Sequence, residues 1–173
     1  MLCGKENSPA QRSGVVTTLS GSVTAVNTQQ VGRAGELYVA AEIHRRGGYA
    51  VTFAGNMPGI DILASNADDT RRISIQVKTK TRGTWHARVP RDAEAGGRDV
   101  EDSFWVFVDL GDEHPDYYIA PRWWMRNDID RAHAEFLARH GGVRPNTPGS
   151  EHHGIPLPRI KEWRDRWDQL GIL

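Results

Sequence analysis

Two short runs with apolar residues at every second position, joined by a polar turn, constrain this chain more than any other stretch. The first is Pro58-Gly59-Ile60-Asp61-Ile62-Leu63-Ala64-Ser65 and the second Ile73-Ser74-Ile75-Gln76-Val77-Lys78-Thr79-Lys80. Such alternation predicts half-buried strands, and Asn66-Ala67-Asp68-Asp69-Thr70 between them has the composition of a hairpin loop. Alternation sends Ile73, Ile75 and Val77 to one face and Ser74, Gln76 and Lys78 to the other. If the register brings the strands together, Asp61, Gln76 and Lys78 share one surface, a candidate metal-dependent hydrolytic site.

The elements around this hairpin follow from period and punctuation. A helix is expected from Thr28 or Gln29 to Arg46, stopped by Gly47-Gly48. Glu36 falls in register with Gly32, Val39, Ala40 and Ile43, on the small, apolar face, where a carboxylate needs a partner such as a nearby arginine. Strands are expected at Tyr49–Ala54, Thr84–Val89, Ser103–Leu110 and Asp116–Ala120, with Asn56-Met57-Pro58-Gly59 as a turn. The Ser103 run is nearly all apolar, as in a strand buried on both faces. Two helices close the chain, Asp128–His140 and one starting near Pro158 with Ile160, Trp163, Trp167 and Leu170 at helical spacing. The whole reads as a mixed α/β domain around a small sheet. Residues 1–28 are expected to be a mobile tail, in which Val15–Val26 could add an edge strand, and residues 29–173 a single domain.

At 173 residues the chain suits one ordinary domain. Equal numbers of basic and acidic residues, 22 each, remove any global electrostatic case for a polyanionic partner. Locally the charge is uneven: every charged residue from Arg71 to Arg91 is basic, and from Asp92 to Asp116 only Arg98 interrupts a run of acids. Cys3 is the only cysteine, which excludes an intrachain disulfide and a thiolate zinc site. No apolar run spans a bilayer and no signal-peptide layout opens the chain, so the expectation is a cytoplasmic protein without a membrane partner. His133 and His140 on one expected helix, with His152-His153 in the next loop, fit no standard metal spacing. The pairs Trp123-Trp124 and Trp163, Trp167 are expected to pack against the sheet.

Hydrolysis of a phosphodiester needs a hard cation at the phosphate, an activated water and compensation of the charge that builds up. Magnesium takes oxygen ligands and keeps several waters, so Asp61 with the Gln76 side-chain oxygen could suffice, and Lys78 on the same face could hold the water or offset charge. In Gly32-Arg33-Ala34-Gly35-Glu36, Gly59-Ile60-Asp61 and Gln76-Val77-Lys78 the chain resembles the PD-(D/E)XK nuclease superfamily. The resemblance covers Val31–Lys80 in motifs and extends more loosely to about Ala138. It implies a restriction-endonuclease-like α/β core, a helix followed by a mixed central sheet flanked by helices. It also implies a metal-dependent endonuclease of DNA in a restriction, defence or repair setting, with Mg2+ as cofactor and Mn2+ able to substitute. Asp61 and Gln76 would bind the metal, Val77 would add its backbone carbonyl, Glu36 would join directly or through water, and Lys78 would assist the water. The chain departs from the pattern in having Gln76 where the superfamily has Asp or Glu, and Ile60 directly before Asp61 with Pro58 three positions earlier. Lys80, Arg82, Arg88 and Arg91 would then contact the nucleic-acid backbone, with Trp85 packing in the sheet or stacking on a base. Specificity would come from dimerisation, DNA structure or a partner. A nuclease fold that binds nucleic acid or protein without cutting is the alternative, because Gln76 is neutral.

Overall fold

Asn27 starts the first helix by a reciprocal pair of bonds. Its side chain accepts the Gln30 N–H at 2.8 Å, and the Gln30 side chain accepts the Asn27 N–H at 3.1 Å. The computed structural model describes residues 27–53, 59–89, 102–145 and 148–173. The expected tail with its edge strand, the turn residues up to Pro58, and Arg91 lie outside the described residues. Helix α1 (Thr28–Arg45) ends as expected at Gly47, which holds φ at +94°, and it buries Gly35, Val39, Ala40 and Ile43. Gly35 rather than Gly32 is the glycine on the buried face.

Seven strands follow: β1 (Tyr49–Thr52), β2 (Ile62–Ser65), β3 (Arg72–Lys80), β4 (Trp85–Arg88), β5 (Ser103–Asp109), β6 (Asp116–Pro121) and β7 (His152–Ile155). Five form one mixed sheet in the order β1-β2-β3-β5-β6, in which β3 and β5 are parallel and the other pairs antiparallel. Strands β4 and β7 form a separate antiparallel pair. Strand β7 was not expected from the sequence, which suggests only a polar loop around His152-His153. It exists because each of its residues pairs with one of β4.

The sheet is covered on both faces, as a strand like β5 requires. Phe104, Val106 and Val108 face a core with Val39 and Ile43 of α1, and Ile73, Ile75 and Val77 of β3 join them. Trp105 and Phe107 face a second core with Met125 and Ile129 of helix α2 (Arg122–Arg139). Helix α2 lies over β5 and β6, so the second face of β3 is left only partly covered. It begins six residues before the expected start, directly after Pro121, and takes in Trp123 and Trp124. Among the described residues no helix is long and apolar enough to cross a membrane.

The expected C-terminal helix is not one helix. Helix α3 (Leu157–Ile160) and a 3-10 turn, Lys161–Trp163, are separated from a second 3-10 turn, Trp167–Leu170, by an extended Arg164 and by Asp165 at φ +53°. There the chain bridges to the edge strand: Asp165 N–H donates to the Tyr117 carbonyl at 2.9 Å and Arg164 pairs with Tyr118. Trp163 therefore packs on Trp124 beside the α2 core, ring centroids 5.1 Å apart, while Trp167 meets Tyr117 in the α1 core at 5.2 Å. One apolar stripe in the sequence serves two faces because the chain crosses the edge of β6, which also shields that edge from further pairing.

Gly35 sets how closely α1 approaches β3. A Cβ there would lie 1.9 Å from Thr79 Oγ1 and 2.9 Å from Thr79 Cβ and Cγ2. Gly35→Ala should lower stability by about 1–3 kcal/mol, the usual cost of an overpacked contact. Adding Thr79→Ala should recover part of the loss, since the Thr79 hydroxyl has no hydrogen-bond partner among the described residues. Urea midpoints of the three proteins measure both effects, and a Gly35→Ala protein as stable as wild type would refute the close approach.

Candidate active site

Strand β2 begins at Ile62, two residues later than the alternation suggests, and leaves Asp61 just outside it. Ile62 pairs with Ile75, so the next bonded pair along the ladder would be Ile60 with Val77. It does not form. Asp61 N–H instead donates to the Ile75 carbonyl at 2.9 Å, and the Val77 N–H donates to Asp61 Oδ2 at 2.7 Å. The carboxylate takes the place of the missing strand neighbour, with one oxygen engaged. The N–H and C=O of a strand residue point to the same side. Ser74 bonds toward β5 and Ile75 toward β2, so Val77 also points toward β2, at the gap where β2 has ended. Its carbonyl thus faces the same gap as Asp61.

Ile62 and Ala64 are buried against α1, and Asp61 stands in the gap before them with its carboxylate on the Val77 N–H. Gln76 and Lys78 lie on the opposite face of the sheet, in register with Trp105 and Phe107 of the α2 core. Asp61 is near enough for its charge to act on Lys78. Lys78 is half-buried, and its ammonium sits 5.6 Å from the centroid of the Trp105 ring. Burial pulls its pKa below the ordinary lysine value, and the negative charge of Asp61 opposes that shift. Among the described residues Lys78 makes no ion pair and the Gln76 amide makes no hydrogen bond. Trp105, the floor under Lys78, is a site residue that the sequence marks only as part of a buried apolar run.

Glu36 is held by a partner on its own helix. Its carboxylate is 2.6 Å from Arg33, one helical turn back. Arg33 also donates to Thr52 Oγ1 at 3.1 Å and to the Phe53 carbonyl at 3.2 Å, pinning α1 to the end of β1. The expected arginine partner is present.

The residues expected to contact nucleic acid divide. Trp85 is buried, donates its indole N–H to the Val108 carbonyl at 3.0 Å, and packs against Phe107 and Tyr118. With its ring enclosed, it offers no face to a base, which corrects the stacking expectation. Lys80 pairs with Asp109 and lies 4.4 Å from the Trp85 ring centroid. Arg88 pairs with Glu151 at 2.6 Å, and Arg82 is exposed on the turn before β4.

The comparisons with known proteins are sparse. No family model and no curated protein matches the chain. Among solved structures, one of a bacterial homing endonuclease, I-Ssp6803I, is similar at a TM-score of 0.49 and 14% identity, over 84% of this chain and 92% of that one.

As for metals, no group of three or more His, Cys, Asp or Glu among the described residues could hold an ion. The oxygens that could serve a cation here are the Asp61 carboxylate and Val77 carbonyl at the gap and the Gln76 amide on the neighbouring face, few in number. That set suits a hard cation that keeps most of its waters and is too sparse for a structural metal. The histidines do not supply an alternative. His133 and His153 come within 6.1 Å between ring centroids, but Arg159 donates to His153 Nε2 at 2.8 Å. Burial, then Arg159, pushes the His153 pKa down to about 4. Arg159 also donates to the buried Asp128 at 2.9 Å, and this network ties β7 to α2.

Proposed function

We propose that the chain is a metal-dependent nuclease that hydrolyses phosphodiester bonds in DNA around Asp61, Gln76 and Lys78. The observation that supports this best is the gap before β2, where the Asp61 carboxylate is fixed by the Val77 N–H and its charge acts on the half-buried Lys78. Mg2+ held there would polarise the phosphate and lower the pKa of a water. Asp61 supplies its unengaged oxygen as the one charged donor. The Val77 N–H bond fixes that carboxylate, and the Val77 carbonyl and Gln76 amide add neutral oxygens. Lys78, desolvated on the Trp105 ring, orients the attacking water and offsets charge on the phosphate oxygens, with more effect than in bulk water. Glu36 would join, directly or through a water, with the oxygen that Arg33 leaves unengaged, or by giving up that half-exposed pair of low intrinsic worth.

The test is incubation of the full chain with supercoiled plasmid and Mg2+ or Mn2+, beside a Lys78→Ala control. Wild type should relax and linearise the plasmid while the variant does not; equal cutting by both overturns the assignment. Gln76→Glu is expected to keep the activity or raise it several-fold at limiting metal, because a second carboxylate strengthens a charge-poor site. Loss of cutting in that variant would remove Gln76 from the donor set. A second reading, a nuclease-like fold that binds DNA without cutting, draws on the neutral Gln76 and on the Arg33 partner of Glu36. It predicts salt-sensitive binding with no cleavage by any of these proteins.

A further inference from the structure

The loop after α2 folds back onto the helix it leaves. Gly141 and Gly142 hold φ at +68° and +86°, and the Gly142 N–H donates to the Leu137 carbonyl at 2.9 Å. Glycine makes such a turn without strain. The turn returns Val143 and Arg144 to the end of α2, where the Arg144 guanidinium lies 5.5 Å from the centroid of the Phe136 ring. Between the helix, this loop and the end of β4 is a cavity of about 440 Å³, inside the range of small-molecule sites, about 300–1,000 Å³. Val89, Leu137 and Val143 give it apolar walls, and His133, Arg144 and Ser150 add polar groups. Glu151, the acid in the lining, is paired with Arg88 at 2.6 Å. Arg144 has no such counterpart. It is half-buried, makes no hydrogen bond or ion pair among the described residues, and its Nε is shut off from solvent. His133 is kept neutral beside it, because burial and then the Arg144 charge lower its pKa, with Asp130 opposing. The lining thus carries one unanswered positive charge among apolar walls.

We propose that this cavity binds an organic anion, its carboxylate or phosphate gripped by Arg144 and its apolar body set against Leu137 and Val143. A planar guanidinium pairs with two oxygens of either group at once, and its contact with Phe136 holds it in place before the ligand arrives. The apolar walls favour a ligand with carbon to cover over a bare inorganic ion. No residue of the lining belongs to the Asp61–Lys78 site, and the proposal does not depend on the nuclease reading.

The experiment titrates the full chain with phenyl phosphate, benzoate and inorganic phosphate and follows the histidine ring signals by NMR, that of His133 being assigned through His133→Gln. The two organic anions should bind at millimolar concentrations, as ligands of so few atoms do, and shift the His133 signal. Inorganic phosphate, with no ring to bury, should bind at least about tenfold more weakly. Arg144→Gln should weaken both organic anions about tenfold, and Arg144→Lys should recover part of that loss. Histidine signals away from the cavity, unmoved by these substitutions, report an intact fold. The tighter of phenyl phosphate and benzoate identifies the charged group that the site prefers. Absence of binding by both organic anions, inorganic phosphate as tight as phenyl phosphate, undiminished binding by a folded Arg144→Gln protein, or shifts that bypass His133 would each overturn the proposal.

Discussion

Asp61→Asn is expected to reduce metal-dependent plasmid cleavage by more than about 100-fold while leaving the fold in place. Residues that merely support a metal ligand typically cost about 10–100-fold when changed, and Asp61 would be the only charged ligand here. The structural side can be separated because the carboxylate also accepts the Val77 N–H. Asparagine keeps an acceptor oxygen at that place, so Asp61→Asn should exchange a charge-assisted bond for a neutral one at a cost of about 1 kcal/mol. Asp61→Ala leaves the Val77 N–H unsatisfied at a part-buried position and should cost about 1–3 kcal/mol. Urea midpoints should therefore rank wild type, then Asn, then Ala, with both variants inactive. An active Asp61→Asn protein would remove Asp61 from the chemistry, and equal midpoints for Asn and Ala would show that the bond to Val77 carries no stability. A further consequence concerns Lys78: Asp61 is the charge that opposes its desolvation, so Asp61→Asn should lower the lysine pKa further.

How much of this was legible in the sequence depended on whether a pattern is set by one neighbour or by several. The face assignment of β3 could be read because burial on one side imposes a strict period of two, and Ile73, Ile75 and Val77 obey it. The start of β2 could not. Alternation runs on through Asp61, but pairing stops at Ile62, and nothing in the period records where a partner strand departs. The C-terminal stripe failed for a related reason. Ile160, Trp163, Trp167 and Leu170 have helical spacing, yet Arg164 and Asp165 leave the helix to bond with β6, and the two tryptophans end on opposite faces. Strand β7 carries a glycine and two histidines, a composition with no strand signal, and takes its form from β4 alone. Glu36 lay in between. Its spacing put it on the apolar face, whereas the side chain is part-exposed and paired with Arg33 three residues earlier; which of two carboxylate duties prevails is a matter of distance.

Lys78→Met should abolish cleavage and stabilise the protein at neutral pH, a pairing expected of a residue kept for chemistry at the expense of the fold. Removal of a positioned proton-handling or charge-compensating group lowers rates by about 10²–10⁴-fold, which sets the expected loss in the plasmid assay. The stability change follows from burial. Lys78 releases its proton at lower pH in the folded chain than its ordinary value of 10.5, whereas the unfolded chain still holds the proton there. Between the two values the unfolded state binds more protons, so wild-type stability rises with pH across that window, and below it the buried charge exacts its full cost. Methionine removes the cost, and the advantage of Lys78→Met over wild type should be largest near pH 7, shrink as pH climbs through the lowered pKa, and vanish above 10.5. Asp61 limits the gain, since its carboxylate loses a favourable neighbour when the ammonium goes, and the double variant Asp61→Asn/Lys78→Met should therefore be more stable than Lys78→Met corrected for the Asp61→Asn cost alone. Urea unfolding of the four proteins at pH 7 and pH 10 reads all of these terms. A Lys78→Met protein less stable than wild type at pH 7, or a gain that does not fall with pH, would show that the ammonium sits in solvent and that the Trp105 ring does not desolvate it.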